Sequence, residues 1–265
     1  MINKAVILCA GRGSRLSPLT DAVPKALLPL GPKPVISYVL NELEQAGISE
    51  ICIVISEETK LIAAQFEHNF MHERYTYCFQ TGAYGSATAL LTAEEWINGE
   101  PFVVAYGDAV MIGEDPTCKV PHLVSMMDFH NYKPTAAVLL SQVIAEKDVE
   151  RCGIVDPGIT FANYTKDLRM NGYCQVDNVA EKPSISDTSS RLGIAGRFIF
   201  DPIVFDYIHR TPRGKNREYQ LTDTLKLMCN QTTVANLTMV GTAKCQDIGT
   251  MEDYLRINKM FIGDK

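Results

Sequence analysis

Residues 4–20 read Lys-Ala-Val-Ile-Leu-Cys-Ala-Gly-Arg-Gly-Ser-Arg-Leu-Ser-Pro-Leu-Thr. Residues 4–9 form an almost unbroken apolar run, the pattern of a strand buried on both faces. The turn that follows, with Ala10, Gly11, Gly13 and Ser14, is rich in glycine. Bare backbone N–H groups in such a turn can approach an anion closely, so the segment points to phosphate binding. A Walker A loop is excluded, because GxxxxGK[ST] is absent. A dinucleotide fingerprint is opposed too: Leu16 stands where its last Gly belongs, and Pro18 and Pro24 postpone the helix to about residue 34. About two dozen residues therefore separate strand from helix, against the usual two to six. The loop carries three cations, Arg12, Arg15 and Lys25. Either they hold a phosphate ligand or they are solvated charges of a surface loop.

Outward from this loop, apolar runs alternate with amphipathic stretches. Residues 34–46 read as a helix, with Pro34 at its first position, Val35, Val39, Leu43 and Ala46 on one face, and Gly47 as its stop. Residues 51–55, 75–79 and 102–106 read as strands. Ser56 with Glu57 and Glu58 opens a helix, and residues 86–97 form another. The alternation predicts βαβ units and a parallel sheet. In the second half, residues 119–131 read as a helix, 135–143 as a strand, and 151–200 as short strand pieces. Helices follow at 202–209, 219–229 and 250–262. One α/β domain spanning 1–265 is expected: a Rossmann-like, mixed but mostly parallel sheet flanked by helices, with a smaller lobe. Residues 1 to about 135 would be the core, and about 136–265 the second part with the C-terminal helices.

With 265 residues, 46% of them hydrophobic and 21% charged, the chain can bury a full core. That excludes a disordered chain, a collagen and a disulfide-stapled mini-protein. The net charge is −6 and no Lys/Arg run supplies a basic stripe, so no nucleic-acid partner is expected. Eight cysteines make no CxxC pair, which reads as reduced thiols in the cytoplasm. Residues 5–10 are too short an apolar stretch for a signal peptide, and no window long enough for a membrane span exists. His68 and His72 lie four apart, but no third ligand stands near them, and zinc is not expected.

The wider pattern is Gly11-x-Gly13-Ser14-Arg15-Leu16-x-Pro18-x-Thr20, Pro24-Lys25, Leu28-Pro29-Leu30 and Lys33-Pro34. Gly107-Asp108, Gly153-Ile154-Val155, Glu181-Lys182-Pro183, Glu218-Tyr219-Gln220-Leu221-Thr222-Asp223 and Asp247-Ile248-Gly249-Thr250 follow in order. Over about residues 3–260 this set resembles the sugar-1-phosphate nucleotidyltransferases. Residues 191–197 and 218–223 are most similar to the branch that transfers uridylyl groups to glucose 1-phosphate. The resemblance implies Mg²⁺-dependent transfer from UTP to glucose 1-phosphate, giving UDP-glucose and pyrophosphate. It also implies a homo-oligomer, with nucleotide binding in residues 1 to about 135 and sugar-phosphate binding in about 136–265. Thymidylyl or cytidylyl transfer to a related sugar 1-phosphate is the nearest alternative, and a non-catalytic nucleotide-sugar-binding regulatory homologue is the second. An NAD-dependent dehydrogenase is opposed by Leu16 and the delayed helix.

The chemistry needs no catalytic base. The nucleophile is a phosphate oxygen, ionised near neutral pH because its second pKa is about 6. Two anions must be aligned and their charge neutralised. The resemblance assigns Arg15 to the leaving phosphates and Lys25 to the α-phosphate region. Ala10, Gly11, Gly13 and Ser14 would contact the nucleotide. Asp108, at the carboxyl end of residues 102–106, is placed for a cation, and the resemblance adds Asp247 as the second Mg²⁺ carboxylate. Gln80 can donate to and accept from a pyrimidine edge, with Gly85 admitting the base or ribose. By resemblance Lys182 would pair with the sugar phosphate, Glu181 would accept from sugar hydroxyls, Gly153 would allow close approach to the ring, and Arg191 would lie beside the sugar. Glu218 to Asp223 more often order the helix they open than perform chemistry.

Overall fold

The computed structural model describes residues 2–67, 75–113, 121–160, 172–239 and 243–262. The first stretch holds β1 (Lys4–Leu8), α1 (Leu19–Ala22), β2 (Pro29–Leu30), β3 (Lys33–Pro34), α2 (Val35–Gln45), β4 (Glu50–Ile55) and α3 (Leu61–Glu67). Next come β5 (Tyr75–Phe79), α4 (Ser86–Leu91), α5 (Glu94–Ile97), β6 (Phe102–Tyr106), β7 (Ala109–Ile112), α6 (His122–Tyr132) and β8 (Ala137–Val143). The remainder is β9 (Gly153–Thr160), β10 (Tyr173–Glu181), β11 (Leu192–Phe200), α7 (Val204–Arg210), α8 (Leu221–Cys229), β12 (Val234–Thr238), β13 (Lys244–Asp247) and α9 (Met251–Ile262).

Nine strands form one mixed sheet in the order β5-β4-β1-β6-β11-β8-β12-β10-β9. The four strands at the β5 end pair in parallel. From β6 onward only β8 and β12 do so, and the other neighbours are antiparallel. The parallel majority expected from the first half thus ends at β6, where β11 enters in the opposite sense. The sheet runs without a break through both halves of the chain.

Apart from Lys4 and Glu50 at their first positions, strands β1, β4 and β6 are apolar because both faces are covered. Ala5, Ile7, Ile51, Ile53 and Val103 face a layer containing Ile36, Val39 and Leu43 of α2 and Met126 and Phe129 of α6. Val6, Cys52, Val54 and Val104 face the other layer, with Leu90 of α4, Phe205 of α7 and Leu221 and Leu225 of α8. Successive residues point to opposite faces, so one short run seeds both cores.

Several elements depart from the sequence reading. Pro34 lies outside α2 in extended backbone, at φ −60° and ψ 148°, and the helix starts at Val35. The helix expected over 86–97 is two helices, α4 and α5. The hydroxyl of Thr92 donates to Ala89 O at 2.8 Å and the Ala93 N–H bonds Leu90 O at 3.0 Å, tightening the turn between them. Residues 151–200 hold three long strands, β9, β10 and β11, where short pieces were expected. Strands β7, β12 and β13 and the β2–β3 hairpin were not foreseen. His68 and His72 lie outside the described residues. The seven described cysteines are free, and no helix among the described residues is long and apolar enough to cross a membrane.

Candidate functional site

Two adjoining cavities open at the carboxyl ends of β1 and β6, where ligands sit in open α/β sheets. One, of about 630 Å³, is lined by the loop after β1, the β5–α4 turn and residues around Asp108. The other, of about 490 Å³, runs from Asp108 and Asp247 across Gly153 and Glu181. Arg15, Ser86, Tyr106, Asp108, Arg151, Lys182 and Gln220 line both, so the two are one site with two compartments.

The long loop after β1 is folded, not slack. Leu16, at the position where a dinucleotide motif would have Gly, is fully buried with Leu28, Leu30, Val110, Ile248 and Ile257. This small core docks the loop against α9 and leaves Arg15, one residue earlier, exposed toward both compartments. The side chain of Arg12 instead pairs with Glu58.

At the junction of the compartments, the Lys25 ammonium bonds Asp108 and lies 3.2 Å from Asp247 Oδ1. Lys25 is nearly enclosed, whereas Asp247 exposes 58% of its side chain toward the cavity. Burial pulls the Lys25 pKa down, but the two carboxylates outweigh it and hold the group above the ordinary lysine value. Burial likewise acts upward on Asp108, and there Lys25 and Arg15 prevail and keep it below the usual carboxylate range. Asp247 faces the open cavity on one side, but desolvation of its carboxylate within the cluster and the Asp108 charge win over Lys25, and its pKa is raised. The cluster therefore carries fixed charges of both signs at neutral pH, beside a cavity able to admit phosphates.

In the first compartment, Gln80 Nε2 donates to Ala83 O, Gly85 O and Thr88 Oγ1 at 3.1–3.2 Å. The amide nitrogen thus ties its own turn together, and only its oxygen is left for a ligand among these contacts. Gly85 holds φ 145°, and a Cβ there would fall 2.2 Å from Tyr219 O. The stretch 218–223 is the other half of this turn. Tyr219 N bonds Tyr84 O, Ala87 N bonds Tyr219 O, and Leu221 N bonds Ser86 Oγ. These residues open α8, as expected, and also stitch it to the β5–α4 turn. Gln220 lines both compartments and accepts from Ser86 Oγ at 3.1 Å.

In the second compartment, Lys182 pairs with Glu181 at 2.9 Å, and Thr222 Oγ1 donates to Glu181 at 2.8 Å. Lys182 holds φ 46°, a strained value for a residue with a side chain. Its N–H bonds Cys152 O at 3.0 Å and its carbonyl accepts from Lys215 at 2.8 Å, which fixes that conformation. Gly153 lines this compartment. Arg191 lines neither compartment. Its guanidinium donates to Ser190 O and Thr188 O and faces Glu146, closing a local turn. Arg151, not singled out from the sequence, faces both compartments and pairs with Asp253. Its place two residues before Gly153 was the available signal.

The nucleotidyl transferase family pattern matches residues 4–262. The UTP–glucose-1-phosphate uridylyltransferase of Haemophilus influenzae is 30% identical over 95% of this chain and 92% of its own length. An enzyme of that name from Staphylococcus saprophyticus is 32% identical over 85% of this chain and 81% of its own. A crystal structure of UDP-glucose pyrophosphorylase complexed with UDP-glucose superposes with a TM-score of 0.82, at 26% identity, over 98% of both chains. An ammonium shared by two carboxylates, a glycine-bearing loop after β1 and a family match over residues 4–262 lead to one conclusion: the chain belongs to the nucleotidyl transferase family.

Proposed function

We propose that the chain transfers the uridylyl group of UTP to glucose 1-phosphate, releasing pyrophosphate and forming UDP-glucose. The single observation that supports it most is the grouping of Arg15, Lys25, Asp108, Lys182 and Asp247 around two joined compartments. The three cations can neutralise two phosphate anions held against each other, and the two carboxylates can hold a further cation between them.

The nucleotide would lie in the first compartment, its base and ribose against Gln80 and Gly85 and its phosphates over Ala10, Gly11, Gly13 and Ser14. Arg15 would grip the β- and γ-phosphates, since its planar fork matches phosphate oxygens. Lys25 would face the α-phosphate. The sugar would lie over Gly153, with its hydroxyls donating to Glu181 and its phosphate paired with Lys182. A sugar-phosphate oxygen then attacks the α-phosphorus. A new P–O bond forms there as the bond to the β-phosphate oxygen breaks, and the electron pair leaves with pyrophosphate. Arg15 and Lys25 neutralise the charge growing on the α-phosphate and the leaving group.

The donor set at Asp108 and Asp247 fits a magnesium ion, which favours one or two carboxylates and completes its shell with phosphate oxygens and water. No third His, Cys, Asp or Glu joins them among the described residues. When bound, Mg²⁺ would supply charge neutralisation at the triphosphate. A cytoplasmic location and a homo-oligomeric state belong to the same proposal; the first rests on the cysteine pattern, the second on the family resemblance.

The test is pyrophosphate release by purified protein with Mg²⁺ and glucose 1-phosphate, offered UTP, dTTP, CTP, ATP or GTP in turn. Release with UTP alone is the expected result. Release with dTTP or CTP in its place overturns the nucleotide assignment and keeps the mechanism. Silence with every nucleotide and sugar phosphate overturns the proposal.

A further inference from the structure

Asp108 and Asp247 do not sit on the nine-stranded sheet. Strands β7 and β13 form a separate antiparallel ribbon, in which Asp247, the last residue of β13, pairs with Ala109, the first of β7. Ile248 N bonds Asp108 O at 3.3 Å. The pairing within the ribbon therefore brings the two carboxylates together, and what anchors each strand on the sheet decides how firmly that pair is held against Lys25 and the compartments.

Two side chains anchor it, one on each strand. Arg197 of β11 is fully buried and lines neither compartment. Its Nη2 donates to Ala109 O at 2.9 Å, on the residue following Asp108. Its Nε and Nη2 grip the Glu42 carboxylate of α2 at 2.7–3.2 Å, and its Nη1 donates to Gly196 O. The register of β11 against β8 breaks between Ile194 and Phe198, with Gly196 at φ 64° inside the irregularity. A bulge of this kind re-aims side chains beside a site. Gln142 of β8 bonds the other strand: its Nε2 donates to Cys245 O at 2.8 Å and its Oε1 accepts from Cys245 N at 2.9 Å. Both polar ends of Gln142 are thereby committed to backbone, although it borders the second compartment.

We infer that Arg197, held by Glu42, and Gln142 are positioning residues that hold the Asp108–Asp247 pair in one place against Lys25 and the compartments by clamping both strands of the β7–β13 ribbon to the sheet. They touch no substrate in this assignment. It rests on the reading of Asp108 and Asp247 as the cation-holding pair. A buried ion pair between α2 and β11 is poor evidence of stability, since an apolar pair of similar volume often does as well. Its fork makes sense as geometry: it orients one guanidinium so that the remaining donor reaches Ala109 O.

Three variants test this: Glu42→Leu/Arg197→Met, Arg197→Lys and Gln142→Leu. The first removes both charges together, so no uncompensated charge is left inside. The second keeps a positive charge near Glu42 but loses the fork. Calorimetric titration with Mn²⁺ alone is the primary readout, with thermal melts as the control for folding. Wild type is expected to bind Mn²⁺, and each variant that melts cooperatively should bind about 10- to 100-fold more weakly, the size seen when groups supporting metal ligands are removed. The Mg²⁺ concentration for half-maximal turnover should rise with it, while UTP binding without metal stays within about two-fold. Cooperatively folded variants with wild-type Mn²⁺ affinity overturn the inference. If the Arg197 variants fail to fold, Gln142→Leu decides in the same way. Wild type that takes up no Mn²⁺ overturns it by removing its premise. Weakened Mn²⁺ binding in a protein that makes no nucleotide sugar supports the clamp and defeats only the activity reading.

Discussion

Lys25 is held in its charged form by the carboxylates on either side of it, which outweigh the penalty of enclosing an ammonium. Replacing it by Met leaves Asp108 and Asp247 facing each other with only the Arg15 guanidinium to offset their charge. Since Asp247 is open to the cavity, the fold should survive while the chemistry does not. Turnover of Lys25→Met is expected to fall about 100- to 1,000-fold, the loss typical of one charge-stabilising group, in steady-state pyrophosphate release. Gly85 is constrained differently. Any side chain there meets the Tyr219 carbonyl at a φ that L-residues rarely adopt. Gly85→Ala should lose about 3 kcal/mol of stability from strain and displaced backbone. A chemical-denaturation curve measures this, and UTP affinity should drop in parallel because the β5–α4 turn moves.

Among the elements, α9 shows how a cap can double as a tie to the site. Thr250 Oγ1 donates to Asp253 Oδ2 and accepts from Asp253 N, closing the first turn. Asp253 also pairs with Arg151, which borders both compartments, and with Arg256. Burial alone would raise the Asp253 carboxyl, but the Thr250 hydroxyl and the two guanidiniums hold it below the usual range. A depressed carboxylate stabilises the fold above its unfolded pKa, near 3.9, and that contribution fades as pH falls through the lower folded value. Asp253→Asn should therefore lower the melting temperature at pH 7 by an amount equivalent to about 1 kcal/mol. The gap from wild type should close below about pH 4. A melting series from pH 3 to 8 checks both the size and the sign.

Across the molecule, both faces of one sheet are packed, and the aromatic residues of its centre join the halves. Phe102 of β6 stacks on Phe205 of α7 with centroids 5.6 Å apart and lies against Phe200 of β11 at 6.2 Å. It belongs to the first half by sequence and packs against the second. Phe102→Ala should lose about 3–5 kcal/mol, as for other buried aromatics truncated to Ala. Denaturation followed by two probes, one on β4 and one on α8, should still show coincident transitions. Separate transitions would mean that the two halves of the sheet unfold independently.

The sequence alone determined the strands of the parallel half, the long glycine-bearing loop after β1, and most of the charged residues that the fold gathers around the two compartments. Those features are local: an apolar run buried on both faces, a glycine turn and a proline-delayed helix are each written in consecutive residues. Four things came only from the folded chain. Leu16 proved to be the anchor of the loop, because its partners Val110, Ile248 and Ile257 lie far along the chain. Arg191 turned away from the sugar side to close its own turn. The single helix expected over 86–97 broke where Thr92 bonds back onto the preceding turn. The β7–β13 ribbon and its anchors on Arg197 and Gln142 join residues from 88 to more than a hundred positions apart. Pairing of that range depends on which surfaces meet when the sheet closes, and short strands such as 109–112 and 244–247 carry too few residues to announce it in advance.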